Sequence, residues 1–328
     1  QKGFTSSIGK ISSKLEGDPR EGQYTRGGLQ VHLKNNICNI NVRHSNAKSE
    51  SENPCQGKNP DRFVLGTTWK KDDKVNKNHH EVFLPPRREH MCTSNLEYLD
   101  TTSSQLTGAN ASNSLLGDVL LAAKYEADRI KDLYPDGHKK YNHPDVCRAV
   151  RNSFADLADI IRGTDLWEEN TGEGKIQENL QAIFRKIKER IGDNNGKYTD
   201  TKKYLDFRKD WWAANRDQIW DVMMCSLRDY MAAPNIKIDQ GVVTGMASVY
   251  CGYYDHAPPD DYIPQWLRWM TEWNESYCKQ LKSHMSTFEY SCSKCKGGNG
   301  PNGQCTQGSG ICERCTIMCN IYPPADFT

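Results

Sequence analysis

The chain has 328 residues, enough for one large domain or two to three small ones. Its 43 basic and 42 acidic residues leave a formal net charge of +1, which argues against a general nucleic-acid binder, because such proteins carry a basic excess. Thirteen cysteines are too many for an ordinary cytosolic protein and predict disulfides made in an oxidising compartment. The odd count leaves at least one cysteine without an intrachain partner, or marks the chain as a fragment. No stretch is apolar enough to cross a bilayer. No signal-peptide pattern appears within the chain, which starts at Gln1 as if mid-sequence. The reading is an excised ectodomain that makes no membrane contact of its own.

Residues 1 to about 86 lack helical periodicity and are rich in Gly, Ser, Asn and charge. So long an irregular segment needs covalent ties or a larger body to dock on. Cys38 and Cys55 are the expected fasteners, and the alternation Leu29, Val31, Leu33 predicts a short strand. Pro85-Pro86 makes an extended entry. From Arg87 the pattern turns helical. Ser114 is expected to cap a helix with Leu116, Val119, Leu120, Ala123, Ala127 and Ile130 on one face. Pro144 suits a first turn, Cys147, Val150, Phe154, Leu157 and Ile161 follow at steps of three and four, and Gly163 stops that helix. Ile176, Leu180, Ile183, Phe184, Ile187 and Ile191 mark another, ended by Gly192.

The segment Asp206 to Cys225, DFRKDWWAANRDQIWDVMMC, carries three of the eight tryptophans. Phe207, Trp211, Gln218 and Cys225 form one stripe, and Leu205, Trp212, Ile219 and Met223 a second beside it. A helix apolar on two faces lies between other helices, and large rings in mid-helix mark the thickest part of a core. A Gly- and Pro-rich loop follows over 233–259. Pro264 opens a last helix, with Trp266, Trp269, Met270, Trp273, Tyr277 and Leu281 expected inward. The core scaffold is thus read as Trp211, Trp212, Trp220, Trp266, Trp269 and Trp273.

Six cysteines crowd between Cys292 and Cys319. The spacing Cys292-x2-Cys295 and Cys312-x2-Cys315 fits a zinc ribbon. Cys305 and Cys319 add two further thiols, and the oxidising context favours a disulfide knot instead. Arg87-Arg88 could hold sulfate or phosphate, but two adjacent arginines are more often ion-paired at a domain junction. Arg162-Gly163-Thr164-Asp165 is an integrin-binding tripeptide interrupted by Thr, read more plainly as a helix stop. Asp156 and Asp159, one turn apart, lack a matching His and read as partners of Arg151, Arg162 or a neighbouring helix. His79-His80 has no third ligand in spacing. Asn110-Ala-Ser112 and Asn274-Glu-Ser276 have sequon spacing, the second inside a predicted helix. No HExxH, GxSxG, P-loop or GxGxxG opening a helix is present. No catalytic function, cofactor or metal is expected.

Five ordered blocks carry a family pattern: LPPRREHMCTSNLEYL at 84–99, LLGDVLLAAKYEADRI at 115–130, CRAVRNSFADLADIIRGTDLW at 147–167, DWWAANRDQIW at 210–220 and DYIPQWLRWMTEW at 261–273. They resemble the Duffy-binding-like domains, more narrowly those of the erythrocyte membrane protein 1 adhesins of the malaria parasite. PPRREHMCTSNLEYL is similar to the beta or zeta class. The resemblance implies a mainly all-α, disulfide-tied extracellular module that is part of a larger membrane-anchored protein on the infected erythrocyte. It implies three subdomains, placed here at 1–90 (irregular), 91–285 (helical bundle) and 286–328 (the cysteine-rich start of a third). Relatives continue into the long helices of the third, whereas this chain ends at IYPPADFT after Cys319, so the segment reads as truncated.

The resemblance also implies a host-protein ligand. Intercellular adhesion molecule 1 is common for the beta class, and immunoglobulin M is bound by some zeta domains. A sulfated glycan is the other alternative, and the module is expected to be monomeric. The receptor-binding face is expected on the polar side of the last helix, at Arg268, Glu272, Glu275, Lys279 and Lys282, beside the cysteine-rich tail. The alternative is the lysine- and histidine-bearing loop 68–82. The disulfides expected are Cys147–Cys225 and Cys38–Cys55.

Overall fold

The computed structural model describes residues 15–71, 82–133, 143–167, 172–192, 196–231, 251 and 256–292. Short helices α1 (Pro86–Glu89), α2 (Ser94–Glu97) and α3 (Ser104–Thr107) lead into four long ones. These are α4 (Ala111–Leu133), α5 (His143–Arg162), α6 (Gly172–Ile191) and α7 (Leu205–Met231), and α8 (Gln265–Cys292) closes the described part. Among the described residues there are isolated bridges, Ala47 to Leu99 and Lys70 to Leu84, and no extended strand. The chain divides into two compact units, Gln1–Met270 and Thr271–Thr328.

Helix α7 lies against α4, α5 and α6, and for this reason it is apolar on two faces. Trp211, Trp212 and Trp220 are buried completely or nearly so. Phe154 of α5 meets the rings of both Trp212 and Trp220 at 5.3 Å, and Phe184 of α6 meets Trp211 edge-on at 5.5 Å. Two of the indole N–H groups have acceptors across the bundle: Trp211 donates to Ser112 Oγ and Trp212 to Asp261 Oδ2, each at 2.8 Å. Such rings can be buried without an orphaned donor.

Helix ends are closed by specific residues. Gly163 stops α5 at φ +77°, and a Cβ there would lie 2.7 Å from Arg208. That side chain, buried on α7, donates to the terminal carbonyls of Ile160 (2.8 Å) and Ile161 (2.6 Å). It therefore satisfies the orphan acceptors that every helix leaves at its C-terminus, and ties α5 to α7. Gly192 ends α6 at φ +74°. Helix α4 starts three residues before the expected cap: Ser114 is buried inside its first turn, and its hydroxyl accepts from Gln23 N–H at 2.9 Å.

The N-terminal segment folds as 3-10 turns, at Pro19–Glu21, Gln30–His32, Ile37–Asn39 and Pro60–Phe63. Three of them open on an Asp or Asn whose side chain accepts a backbone N–H two residues on (Asp18, Asn36, Asn59). The strand expected at Leu29–Leu33 is one of these turns: Leu33 is buried, while Leu29 and Val31 stand exposed. Leu15, Tyr24, Leu33 and Ile40 belong to the same core as the bundle. Asn215 of α7 accepts from Gly17 N–H (2.7 Å) and donates to Leu15 O (3.0 Å), so the segment docks on α7 through backbone groups.

The disulfides among the described residues are Cys38–Cys225, Cys55–Cys92 and Cys147–Cys251. These replace the expected Cys38–Cys55 and Cys147–Cys225. The turn Ile37–Asn39 packs on α7 and brings Cys38 to Cys225, while Cys147, buried near the start of α5, is met by Cys251. Cys278 is free and exposed.

Candidate receptor-binding surface

The first turn of α8 is anchored by a buried polar hub. Asp156 of α5, fully buried, accepts from Arg87 Nη2 and Arg268 Nη2, each at 2.6 Å, and from Trp269 Nε1 at 3.2 Å. Arg268 also reaches Asp159 Oδ2 at 2.7 Å, and Arg162 holds the other oxygen at 2.9 Å. Gln265 donates to Asp156 and Asp165 and accepts from Leu166 N–H at 2.7 Å. Arg88 pairs with Asp165 at 2.6 Å and lies over the Trp167 ring. Burial pushes Asp156 up, but Arg87 and Arg268 outweigh it and hold the carboxyl at about 2. At Asp159 burial prevails and raises it despite Arg268 and Arg162.

This hub corrects one expectation and decides between the alternatives left at others. Arg268 is 5% exposed and engaged on both sides, so it belongs to the scaffold and not to a ligand-facing surface. Arg87 and Arg88 are buried ion-pair partners with no face open to a sulfate. The segment Arg162 to Asp165 closes α5: Thr164 N–H donates to Asp159 O at 2.9 Å, and Asp165 is held by Arg88. Asp156 and Asp159 are ion-paired, as their lack of a histidine suggested, while Arg151 bridges Asp260 at 2.8 Å instead.

Past its first turn α8 presents a different surface. Trp269 is buried at 1%, but Trp266 and Trp273, expected in the core, are each 40% exposed. Met270, Tyr277, Leu281 and Met285 are more exposed still. Spacing by three and four defines an apolar stripe on a helix; it does not supply the partner that would cover it. Within the second unit Trp273 and Tyr277 stack on each other, centroids 5.4 Å apart and planes 9° from parallel. Glu272 and Glu275 are half-buried, and Lys279 and Lys282 are exposed. Of the alternative loop, Lys70 pairs with Glu89, Lys71 is exposed, and 72–81, with His79-His80, lies outside the described residues. So do the 233–250 part of the Gly- and Pro-rich loop and all of the 293–328 tail, including Cys295 to Cys319. Among the described residues no cluster of His, Cys, Asp or Glu could hold a metal, and no helix is long and apolar enough to cross a membrane.

Four buried acidic residues escaped the sequence reading: Asp118, Glu126, Asp260 and Asp261. Asp118 stands in LLGDVLL on α4, a charge inside an apolar run, and that contrast was the available signal. It is fully buried and takes Ser45 Oγ (2.7 Å), Asn46 N–H (2.9 Å) and Asn46 Nδ2 (2.9 Å).

The family model described as the Duffy binding domain matches residues 81–268, more than half of the chain and all of helices α1 to α7. The chain belongs to the Duffy binding domain family. Curated members include the Duffy receptor gamma form of Plasmodium knowlesi, 26% identical over 222 residues, and the Duffy receptor of Plasmodium vivax (strain Salvador I), 27% identical over 216. Each alignment covers 65% of this chain and 17% of the receptor, so the chain spans less than a fifth of these relatives. Among solved structures, a PfEMP1 DBLβ domain bound to human ICAM-1 is 40% identical with a TM-score of 0.77, covering 97% of this chain and 66% of that one. A second PfEMP1 DBLβ domain, also solved with ICAM-1, is 39% identical with a TM-score of 0.78, covering 97% and 73%. The double domain of the Plasmodium falciparum varO PfEMP1 is 28% identical with a TM-score of 0.73, covering 98% and 50%.

Proposed function

We propose that this chain is a receptor-binding module of a variant adhesin on the infected erythrocyte, and that its receptor is intercellular adhesion molecule 1. The carrying observation is the 40% identity, over 97% of this chain, to a PfEMP1 DBLβ domain solved with human ICAM-1 bound. It supports the beta reading over the zeta reading, and a binding module over an enzyme. The three-part organisation with boundaries near 90 and 285, and the membership of a larger membrane-anchored protein, belong to the same proposal. The receptor is held by the 272–282 face of α8, through Lys279 and Lys282 beside Glu272 and Glu275. Arg268 has no part in it.

Binding of the 328-residue chain to immobilised ICAM-1, immunoglobulin M and heparin tests the partner. Saturable binding to ICAM-1 that survives raised salt and added heparin is expected. Binding to immunoglobulin M alone, or binding that fades steeply with ionic strength, replaces the reading. For the site, the double reversal K279E/K282E is expected to weaken ICAM-1 binding more than K70E/K71E, with melting unchanged in the former. Equal affinity of both variants and the parent removes this face.

A further inference from the structure

The buried carboxylates of the first unit follow a rule with one exception. Glu126 has Arg62, Asp156 has Arg87 and Arg268, Asp159 has Arg162 and Arg268, Asp165 has Arg88, Asp260 has Arg151 and Asp261 has Arg216. Asp118 is as deeply buried as any of them, and its partners are a hydroxyl, a backbone N–H and a side-chain amide. Burial without a cation favours the protonated form and here outweighs the hydrogen-bond donors, which favour the ionised one.

The surroundings of Asp118 leave the charge unopposed. On α4 itself Glu126, two turns on, is taken by Arg62. From the N-terminal segment Tyr24 faces it, with its phenol donating to Pro19 O. Arg26 of the same segment turns its guanidinium onto the carbonyls of Ala47, Lys48, Ser51 and Glu52. His44 and His32 meet edge-on with ring centroids 6.1 Å apart, and His44 is held neutral by burial. From α2 Asn95 donates to the Asp118 carbonyl at 2.9 Å, and α7 brings the neutral Trp211 and Asn215 to this end of the core. The 2.7 Å contact to Ser45 Oγ accommodates either state, because a hydroxyl donates to a carboxylate or accepts from a carboxylic acid.

The three donors come from Ser45 and Asn46, midway along the loop between Cys38 and Cys55. Both ends of that loop are tied covalently, to α7 by Cys38–Cys225 and to the start of α2 by Cys55–Cys92. Its middle is held by the Asp118 bonds, by the bridge from Ala47 to Leu99, by Asp100 N–H onto Asn46 O, and by Thr25 and Arg26. We propose that Asp118 is a pH-sensitive clasp: protonated, it grips the middle of the 38–55 loop more firmly than when ionised, so the loop opens more readily at neutral than at mildly acidic pH.

The sign follows from linkage. Burial raises the Asp118 carboxyl to about 6, against an ordinary value of 3.8 that it regains when the loop opens and water enters. The extra grip is complete below 3.8 and is lost as pH rises through 6. From these two values the opening constant rises about tenfold between pH 5 and pH 7. His44 acts the other way, since a histidine held neutral is released by acid. The Asp118 contribution is therefore read as the difference between the protein and D118N.

Hydrogen exchange of the Asn46 and Ala47 amides at pH 5 and pH 7, corrected for intrinsic rates, supplies the test. The ratio of opening constants, protein over D118N, is expected to change about tenfold between the two pH values. A ratio that stays constant overturns the clasp. Should D118N not fold, carbon-13 NMR titration of the Asp118 carboxyl in the unaltered protein decides. A midpoint near 6 supports the proposal, and one at or below 4 overturns it.

Discussion

Helices α7 and α8 carry the same kind of sequence and end in opposite circumstances. Each places tryptophans at helical spacing among alternating charges. On α7 the indoles of Trp211, Trp212 and Trp220 are enclosed by Phe154, Phe184 and hydroxyl or carboxylate acceptors. On α8 only Trp269 is enclosed, by Asp156, while Trp266 and Trp273 keep two fifths of their surface in solvent. Periodicity reports how a helix would present its side chains. Whether a face is covered depends on elements far away in the chain, and no local pattern contains that.

The contrast can be broken by mutation. The largest effect is expected in the core of α7: W211A or W220A should cost about 3–5 kcal/mol through the cavity left behind. W273A, at an exposed site, should cost less than about 1 kcal/mol. Denaturant melts compare them directly, and equal losses would mean that the Trp273 face is covered in solution. Next comes the hub, where D156A removes the carboxylate that Arg87 and Arg268 share and leaves Arg268 with Asp159, an expected loss of about 3–5 kcal/mol. D156N, which keeps the shape and part of the hydrogen bonding, should cost less, and a reversed order would show that packing and not charge governs the hub.

A smaller effect concerns acid. The Asp156 carboxyl is depressed to about 2, below the ordinary 3.8. Its stabilisation is therefore fully present above about pH 4 and is lost as pH falls through 2, amounting to roughly 2 kcal/mol. Stability measured from pH 5 down to pH 2 should fall more steeply in the protein than in D156N. Parallel curves would assign acid unfolding to other groups. Smallest is the charge reversal K279E/K282E, whose effect on stability should stay within about 0.5 kcal/mol, since both lysines are exposed.

Much of the bundle was legible because its signal is local. The stripes of α4 to α7, the stops at Gly163 and Gly192 and the first-turn Pro144 each rest on a few neighbouring residues. Asp156 and Asp159 read as ion-paired because nothing near them offered catalysis. The cysteine partners were illegible, because spacing along the chain carries no distance in space: Cys38 lies 187 residues from Cys225. Arg87 and Arg88 read as an ion-paired junction, but Arg268 was misjudged by the habit of arginine to sit at surfaces. Their burial depends on carboxylates of α5 and the segment after it, supplied some 70 to 110 residues away. The strand expected at Leu29 to Leu33 failed because alternation over five residues is also produced by a tight turn that buries one leucine.

The bond between Cys38 and Cys225 also sets a timetable. A ribosome adds about 5–20 residues per second, so Cys38 leaves it roughly 10–40 s before its partner exists. In that interval Cys55, Cys92 and Cys147 all pass within reach, and short-range pairing is entropically the easiest. The near neighbour Cys55, which the sequence alone also suggests as a partner, is the wrong one for Cys38 in the finished fold. Oxidation during synthesis therefore tends to trap the chain in a mispaired form that thiol exchange must undo. The yield of native protein should depend on a reshuffling catalyst more than on oxidant, and a chain beginning after Cys38 would escape that error while leaving Cys225 unpaired.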